Sequence, residues 1–237
     1  MGWATAGHPF RVACRPFEAG RILPSAADWP HAESIAVELA VPDVSSYRLE
    51  EVKPLSFIYE VRNALPPESC REMVRRFEAH PEQQYPGRIG QNPTEDLGIK
   101  RSTDLTVSDK PEWKDVDAAL FRSMVGALAR VREQFPFFKG PFKDMGYAIQ
   151  RTRPDEFYHW HIDGGSHEFS YRQLVAVWYL NDVPGPGGET EFRFQGVKVR
   201  PEEGKLVLFP PFWTHEHRGV TLQAGVKYIA TTWVVFA

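Results

Sequence analysis

The sequence predicts a mainly β protein with flanking helices, in which two helices precede an antiparallel sandwich or barrel. Two observations support this fold class. Ahead of Pro136, two segments repeat apolar residues at helical spacing. After Pro136, short runs rich in Val, Tyr, Trp, Phe and Thr follow one another, with turns rather than helical patterns between them. These runs span residues 144–152, 172–181, 189–200, 205–209 and 226–236.

The length of 237 residues suits one domain with a complete core, so we expect a single domain over residues 1–237. Residues 1–50 have weak periodicity and several prolines, which predicts an irregular N-terminal arm. We expect residues 51–140 to supply a strand and the helical support, and residues 141–237 to form the β core.

The elements ahead of the β core can be predicted in order. Apolar and polar positions alternate over residues 55–61, which predicts a half-buried strand. Two prolines then open a helix near residues 67–79. Residues 80–100 are polar and rich in turn formers, which is typical of a functional loop or lid. A second helix begins at Pro111 and continues to about Phe135, with one apolar face against a sheet.

Composition argues against several classes of partner. The net charge of −3 and the scattered Lys and Arg residues do not indicate a nucleic-acid or anionic membrane surface. No apolar run approaches the length of a membrane helix, and the first residues lack a secretory pattern. With only two cysteines, Cys14 and Cys70, the sequence favours a cytoplasmic protein. The oligomeric state stays open.

The histidines of the β half are the first functional signal. His161 and Asp163 are two residues apart, and such residues point to the same face of a strand. His217 and His215 supply candidates for a third ligand from a later predicted strand, where both share one face. Two imidazoles and one carboxylate form the facial triad of non-haem iron oxygenases, with open coordination positions left over. A His-x-Asp pair alone is more often a pair of exposed polar residues, so the third ligand matters.

This arrangement resembles the catalytic core of the prolyl 4-hydroxylase-like branch of the Fe(II)- and 2-oxoglutarate-dependent oxygenase superfamily. The similarity covers residues 144–236 and is carried by His161-x-Asp163, Arg172, Tyr179-Leu180-Asn181-Asp182, Gly187-Gly188-Glu189-Thr190-Glu191-Phe192, Gly204, His217-x-Gly219, Gly225-x-Lys227 and Trp233. The resemblance implies a double-stranded β-helix (jelly-roll, cupin-like) core packed against two N-terminal helices. It also implies Fe(II), 2-oxoglutarate as co-substrate and dioxygen, with His161, Asp163 and His217 as metal ligands.

The same resemblance implies where the co-substrate binds. In that family a basic residue ten positions after the distal histidine holds the far carboxylate of 2-oxoglutarate, and Lys227 is ten positions after His217. A buried lysine on a strand also needs an anion to offset its desolvation.

Further co-substrate candidates surround the predicted pocket. Tyr158, three residues before the first ligand histidine, matches a pocket residue of the family. The position where the family usually has a tyrosine is Thr152 here, so Thr152, Tyr147 and Thr231 are candidate hydroxyl partners of the co-substrate. Trp233 shares a strand face with Lys227 and Thr231.

We expect the substrate to be a small amino-acid-like or other metabolite, or a peptide, with a prolyl residue as a further candidate. The resemblance implies that the reaction is hydroxylation of an unactivated C–H bond with release of succinate and CO2. Candidate substrate contacts are His159, Arg88, Arg101, Arg172 and His215.

Two other interpretations remain at this point. One is a cupin-type metal-dependent enzyme that does not use 2-oxoglutarate, and the other is a non-enzymatic binding module on the same fold. Replacement of Lys227 discriminates the first, because only the oxygenase needs that residue for 2-oxoglutarate. Bound iron without succinate release would favour the second.

Overall fold

The computed structural model of the chain describes residues 22–23, 39–90 and 95–237. Most of the predicted N-terminal arm, including Cys14, lies outside the described residues. In the part of the arm that is described, Val44–Ser46 forms a 3-10 turn. Tyr47 is buried beside it, and its hydroxyl donates to the carbonyl of Ala64 at 2.7 Å. This part of the arm is therefore irregular and packed on the domain.

The two helices lie where the sequence predicts them. The first, α1, spans Pro67–Ala79, begins at a proline that suits a first helical turn, and buries Cys70 and Phe77. The second, α2, spans Lys114–Gln134 and follows a 3-10 turn at Pro111–Trp113, so its α-helical part begins three residues later than predicted. Neither described helix has the combination of length and apolarity that crossing a membrane requires.

Fifteen strands occur in the described residues, and all of their pairings are antiparallel. In chain order they are β1 (Ile22–Leu23), β2 (Glu50–Glu51), β3 (Tyr59–Val61), β4 (Tyr85–Pro86), β5 (Lys100–Arg101), β6 (Thr103–Thr106), β7 (Phe142–Asp144), β8 (Ala148–Thr152), β9 (Phe157–His161), β10 (Arg172–Tyr179), β11 (Thr190–Phe192), β12 (Val197–Val199), β13 (Leu206–Phe209), β14 (His217–Gly219) and β15 (Lys227–Phe236).

The strands form two sheets. The major sheet has the order β2-β3-β13-β10-β15-β8-β6-β4, with β7 also paired to β15 and β1 to β7. The minor sheet has the order β12-β11-β14-β9-β5.

The central strand β10 is buried on both of its faces, which makes the fold three layers thick. Ala176 and Trp178 belong to the same core cluster as Leu120 of α2. Val175, from the alternate positions, packs with Phe192 of the minor sheet. The helices therefore cover one face of the major sheet and the minor sheet covers the other. This is the predicted double-stranded β-helix with helical support.

The predicted strand over residues 55–61 is wrong in its first part. Leu55 and Phe57 have φ angles of 62° and 55°, and they are 83% and 46% exposed. Only Tyr59–Val61 is a strand, because the preceding residues form the turn between β2 and β3. Alternation of residue types had suggested extended backbone where the chain actually reverses.

Three other predicted boundaries also shift. The run at 144–152 is interrupted at Gly146, whose φ of 74° ends β7 before β8 begins. The run at 189–200 is a hairpin of two strands, β11 and β12. The polar segment at 80–100 is not simply a loop, since it contains β4 and the start of β5. Residues 91–94 within it lie outside the described residues.

Candidate active site

A cavity of about 140 Å³ opens between the two sheets. Its walls come from the central strands of both, chiefly β8, β10 and β15 of the major sheet and β9 and β14 of the minor sheet. The charged and imidazole side chains that line it are Arg88, Lys100, Glu156, His161, Asp163, His217, Arg218 and Lys227. The cavity thus brings together residues that are far apart in sequence.

Two adjacent strands bring the predicted ligand histidines together. His161 ends β9 and His217 begins β14, and these two residues are direct partners in the pairing of the strands. Their ring centroids are 4.2 Å apart. A register shift between His217 and Gly219 bends the pair locally, as a β-bulge does.

The hydrogen bonds of both rings fix which nitrogen faces the cavity. His161 Nδ1 is 2.7 Å from the carbonyl oxygen of His159, and His217 Nδ1 is 2.9 Å from that of His215. A carbonyl oxygen only accepts, so each Nδ1 carries the hydrogen and each Nε2 keeps a free lone pair. Burial, aided by the neighbouring His217, lowers the pKa of His161 to about 3, which keeps that ring neutral. Both imidazoles are thus prepared to bind a cation.

Asp163, just after β9, completes the group. One carboxylate oxygen, Oδ2, lies 3.2 Å from His217 Nε2, and the other, Oδ1, accepts a hydrogen bond from Trp233 Nε1 at 3.0 Å. Burial would raise the pKa of Asp163, but its contact with His217 and the charge of Arg172 lower it overall. The carboxylate is therefore ionised in the structure.

These three residues fit a divalent cation. One ligand atom from each of His161, Asp163 and His217 can be chosen so that all lie within 4.8 Å of one another. Two neutral nitrogens and one anionic oxygen are the donors of a facial triad that suits Fe(II). The close approach of Asp163 to His217 in the cavity is the arrangement that a shared cation would hold.

Arg172 supports the aspartate from behind. Its Nη1 donates to the main-chain carbonyl of Asp163 at 2.7 Å. The guanidinium lies between two rings, 4.0 Å from the centroid of Phe169 and 3.9 Å from that of Trp233. Burial lowers the pKa of Arg172 to about 10, and the charge of Asp163 opposes that shift. The prediction that Arg172 contacts substrate is wrong, because its side chain packs outside the cavity lining.

Lys227 lies on another wall of the same cavity. It is 5% exposed, and its Nζ donates to the carbonyl of Gly188 at 3.1 Å. No carboxylate of the described residues lies within ion-pair distance of it. Burial lowers the pKa of Lys227 to about 8, partly opposed by the charge of Glu189. A buried ammonium with a single carbonyl partner is well suited to an anionic ligand.

The other co-substrate candidates are mostly grouped around Lys227. Thr231 and Trp233 follow it at alternate positions of β15 and line the cavity, as the predicted alternation requires. Thr152 is the direct strand partner of Lys227 and lines the cavity too. Tyr158 lines the cavity nearer the metal-ligand group, with its ring stacked 3.5 Å from that of His161. Burial, with Asp163 and Asp104 nearby, raises the pKa of Tyr158, so its hydroxyl stays protonated.

Tyr147 is a wrong prediction. Its hydroxyl donates to Asp144 Oδ2 at 3.1 Å, and its ring packs edge-on against Trp178 in the core beneath the helices. Along the extended chain Tyr147 is in phase with Ile149, which is also buried on the helix side. Thr152 has the opposite phase and faces the cavity.

Three of the other predicted substrate contacts lie outside the cavity. His159 is exposed on the outer face of β9. Arg101 is exposed as well, and its Nε donates to the carbonyl of Leu97 at 3.0 Å. His215 is buried away from the cavity, with Nε2 2.9 Å from the carbonyl oxygen of Ser56. None of the three side chains lines the cavity.

Arg88 does line the cavity, and the structure adds residues that the sequence did not indicate. Arg88 is exposed at the cavity rim. Lys100 and Gln150 line the cavity as well. Gln150 could have been found from its phase with Thr152 on β8. Lys100 carries no such signal, because short polar strands resemble loops.

Comparison with known proteins finds a family model that matches part of the chain. The family model described as "2OG-Fe(II) oxygenase superfamily" matches residues 147–235. This segment contains all three candidate metal ligands and Lys227. A search of curated proteins finds no match to the chain.

Solved structures with a similar fold include prolyl hydroxylases. A prolyl hydroxylase from Trichoplax adhaerens, in complex with a hypoxia inducible factor peptide fragment, gives a TM-score of 0.65 at 16% identity, covering 76% of this chain and 84% of that one. The viral collagen prolyl hydroxylase of Paramecium Bursaria Chlorella virus-1 gives 0.58 at 16%, covering 79% and 100%. A Pseudomonas putida prolyl-4-hydroxylase gives 0.57 at 19%, covering 76% and 93%. At these identities the likeness establishes the fold.

The family match also decides between the interpretations that the sequence left open. It disfavours a cupin-type enzyme without 2-oxoglutarate and a binding module without activity, because the matched family consists of 2-oxoglutarate-dependent oxygenases. The His-Asp-His group and the antiparallel double-sheet core agree with this. Residues 147–235 are thus similar to the 2OG-Fe(II) oxygenase superfamily, and this match together with the His-Asp-His group supports a dioxygenase that uses Fe(II), 2-oxoglutarate and dioxygen.

Proposed function

We propose that His161, Asp163 and His217 are the ligands of Fe(II), and that Lys227 binds the far carboxylate of 2-oxoglutarate. One observation supports this assignment above all others. One ligand atom from each of the three side chains lies within 4.8 Å of the others, in the same cavity that contains a buried lysine with no carboxylate partner among the described residues. The cavity thus offers a cation site and an anion site together, as this pair of ligands requires.

When bound, Fe(II) with 2-oxoglutarate and dioxygen supplies the oxidising chemistry that hydroxylates a C–H bond and yields succinate and CO2. The residues of the chain position these groups. The carbonyls of His159 and His215 orient the two imidazoles, and Trp233 and Arg172 orient Asp163. Such outer contacts restrict ligand rotation before the metal arrives.

Lys227 and its neighbours orient the co-substrate. The ammonium forms a charge-assisted contact with the far carboxylate, and the hydroxyls of Thr152 and Thr231 on the same wall offer donors to it. Val175 and Ile229, which also line the cavity, give the carbon chain of the co-substrate an apolar surface. The walls exclude water around the reacting groups.

The proposed substrate is an amino-acid-like or other small metabolite whose C–H bond is hydroxylated. A prolyl residue in a peptide is a second candidate, since one structure of similar fold is a prolyl hydroxylase bound to a peptide fragment. We also propose that residues 1–237 act as one domain and, from the low cysteine content, that the protein works in the cytoplasm.

The proposal is tested by loading the protein with Fe(II) and 2-oxoglutarate without oxygen. We expect a visible charge-transfer band, which arises when a 2-oxo acid chelates Fe(II) at the three-residue site. Oxygen is then admitted with amino acids, proline-containing peptides or other metabolites, and succinate is measured. A protein that binds neither Fe(II) nor 2-oxoglutarate would refute the assignment.

The hydrogen bond from Trp233 to Asp163 makes a separate prediction. Trp233→Phe keeps an aromatic wall but removes that hydrogen bond, so metal affinity should fall about 10- to 100-fold. Anaerobic titration with Co(II), followed by visible absorption, measures the affinity. Trp213→Phe is the matched control, because Trp213 is 76% exposed and lies outside the cavity lining. Equal affinities in both variants would show that the hydrogen bond does not orient the ligand.

A further inference from the structure

Lys100 is a buried lysine whose hydrogen-bonding capacity is only partly used. It is 7% exposed and lines the cavity from β5. Asp104 Oδ2, at 2.7 Å from Nζ, is its one hydrogen-bond acceptor among the described residues. Because an ammonium has three donors, two remain for a ligand in the cavity.

Arg88 is a second basic residue on the same wall. It follows β4 at the cavity rim, with its guanidinium 5.0 Å from the centroid of the Tyr85 ring. Within the described ranges no carboxylate pairs with it. Gly87 directly precedes Arg88 and packs against Lys100, because a Cβ built on Gly87 would lie 2.8 Å from Cε of Lys100. The backbone beside Arg88 therefore lies directly against the lysine stem.

The other charged side chains lining the cavity already have a function or a partner. Arg218 pairs with Glu191 at 2.6 Å. Glu156 accepts a hydrogen bond from the Arg153 backbone N–H at 2.7 Å. The metal-ligand group and the co-substrate lysine are assigned above. Among the described residues with charged side chains that line the cavity, Lys100 and Arg88 therefore remain without an assigned ligand.

We propose that Lys100 and Arg88 bind a carboxylate of the substrate, which makes the substrate a small organic acid of the amino-acid type. The proposal rests on the proposed function. Lys100 Nζ lies 5.2 Å from the centroid of the Tyr158 ring, and that ring stacks on His161. Lys100 and His161 thus both lie close to the Tyr158 ring, and a carboxylate held by Lys100 would lie in the same part of the cavity as the metal-ligand group.

The size of the cavity agrees with a small acid. Its volume of about 140 Å³ is small beside the roughly 300–1,000 Å³ of typical ligand pockets. The co-substrate takes part of that space. An internal residue of a peptide carries no free backbone carboxylate to occupy the basic wall, so this proposal favours free acids over peptides.

The test measures binding to the anaerobic enzyme loaded with Fe(II) and 2-oxoglutarate. The common free L-amino acids and their primary α-amides are titrated by calorimetry. We expect at least one acid to bind, and its amide to bind about 10- to 100-fold more weakly, because the amide loses charge-assisted hydrogen bonds. Arg88→Gln should weaken binding of the acid by a similar factor and leave its amide unchanged.

Two further variants complete the test. Lys100→Met combined with Asp104→Asn removes the buried pair together, so no buried charge is left alone, and it should also weaken binding of the acid. Arg101→Gln is the matched control, because this exposed neighbour faces away from the cavity, and it should bind the acid like the unmodified protein. The proposal is overturned if no acid binds, if acids and amides bind equally, or if Arg88→Gln and Arg101→Gln behave alike. Loss of 2-oxoglutarate binding by the unmodified enzyme would instead refute the proposed function.

Discussion

Replacing Lys227 with Met is expected to abolish productive binding of 2-oxoglutarate. Removing one partner of a buried, hydrogen-bonded charge pair costs about 2–5 kcal/mol, which corresponds to a loss of affinity of about 30- to 5000-fold. Calorimetric titration of the anaerobic metal-loaded protein with 2-oxoglutarate measures the loss. Metal affinity itself should change little, because Lys227 is not among the three candidate ligands. Undiminished 2-oxoglutarate affinity would refute the role of Lys227.

Lys227→Met should raise the stability of the ligand-free protein, in contrast to its effect on 2-oxoglutarate affinity. Since burial lowers the pKa of Lys227 to about 8 from 10.5, the unfolded state binds more protons between these values. Stability of the unmodified protein should therefore rise with pH through that window, and below it the buried charge costs about 3 kcal/mol. Lys227→Met should lack this rise. The lost hydrogen bond to Gly188 reduces the gain in stability at neutral pH.

Lys205→Met provides a contrasting buried lysine. Lys205 is 2% exposed, and its Nζ lies 3.3 Å from Glu60 and 3.0 Å from Glu202. Its removal leaves the buried Glu60 with less compensation, so this variant should be less stable than the unmodified protein. It should also bind 2-oxoglutarate normally. Chemical unfolding of both variants with the co-substrate absent distinguishes the two lysines.

His161→Ala is expected to eliminate metal binding and succinate release. Loss of an outer partner of a metal ligand costs about 10- to 100-fold, and loss of the ligand itself should exceed that range. Metal content after anaerobic loading and desalting, together with succinate release, measures the effect. Retention of a full equivalent of iron by His161→Ala would contradict the ligand assignment.

His159→Ala is the matched comparison for that variant. The His159 side chain is exposed, while its main-chain carbonyl accepts the hydrogen of His161 Nδ1. Alanine keeps the carbonyl, so this variant should bind metal like the unmodified protein. A loss equal to that of His161→Ala would mean that the His159 side chain, rather than its backbone, supports the site.

The main features of the site could be predicted because they depend on local rules. Residues two apart on a strand share a face, which placed Lys227, Thr231 and Trp233 on one wall. The same rule would have excluded Tyr147, which is an odd number of positions from Thr152 and so faces the helices.

The rule failed where the backbone is not extended. His215 and His217 were expected on one strand face, but Trp213–His215 is a 3-10 turn and the strand begins at His217. The His215 ring therefore turns toward Ser56. Likewise, positive φ angles at Leu55 and Phe57 produce a turn that no pattern of residue types revealed.

The basic wall could not be predicted for a different reason. Strands β4, β5 and β6 are short and polar, so their sequence resembles a loop. Burial of Lys100 depends on its contact with Asp104 and on the close approach of Gly87, and these depend on tertiary packing. The neighbouring Arg101 has the same charge but is exposed. The sequence alone does not indicate which of these two basic residues faces the cavity.

The main-chain carbonyl groups that orient His161 and His217 determine which sequence changes the candidate metal site can accommodate. Each carbonyl belongs to the residue two positions before the histidine. The orientation of each imidazole ring therefore depends on main-chain geometry. At the first of these positions the exposed side chain of His159 can therefore change without altering the orientation of His161. A one-residue insertion or deletion between the carbonyl and its histidine would turn the imidazole away from the other two candidate ligands. The antiparallel pair of β9 and β14 therefore sets the orientation of two of the three candidate ligands through its backbone.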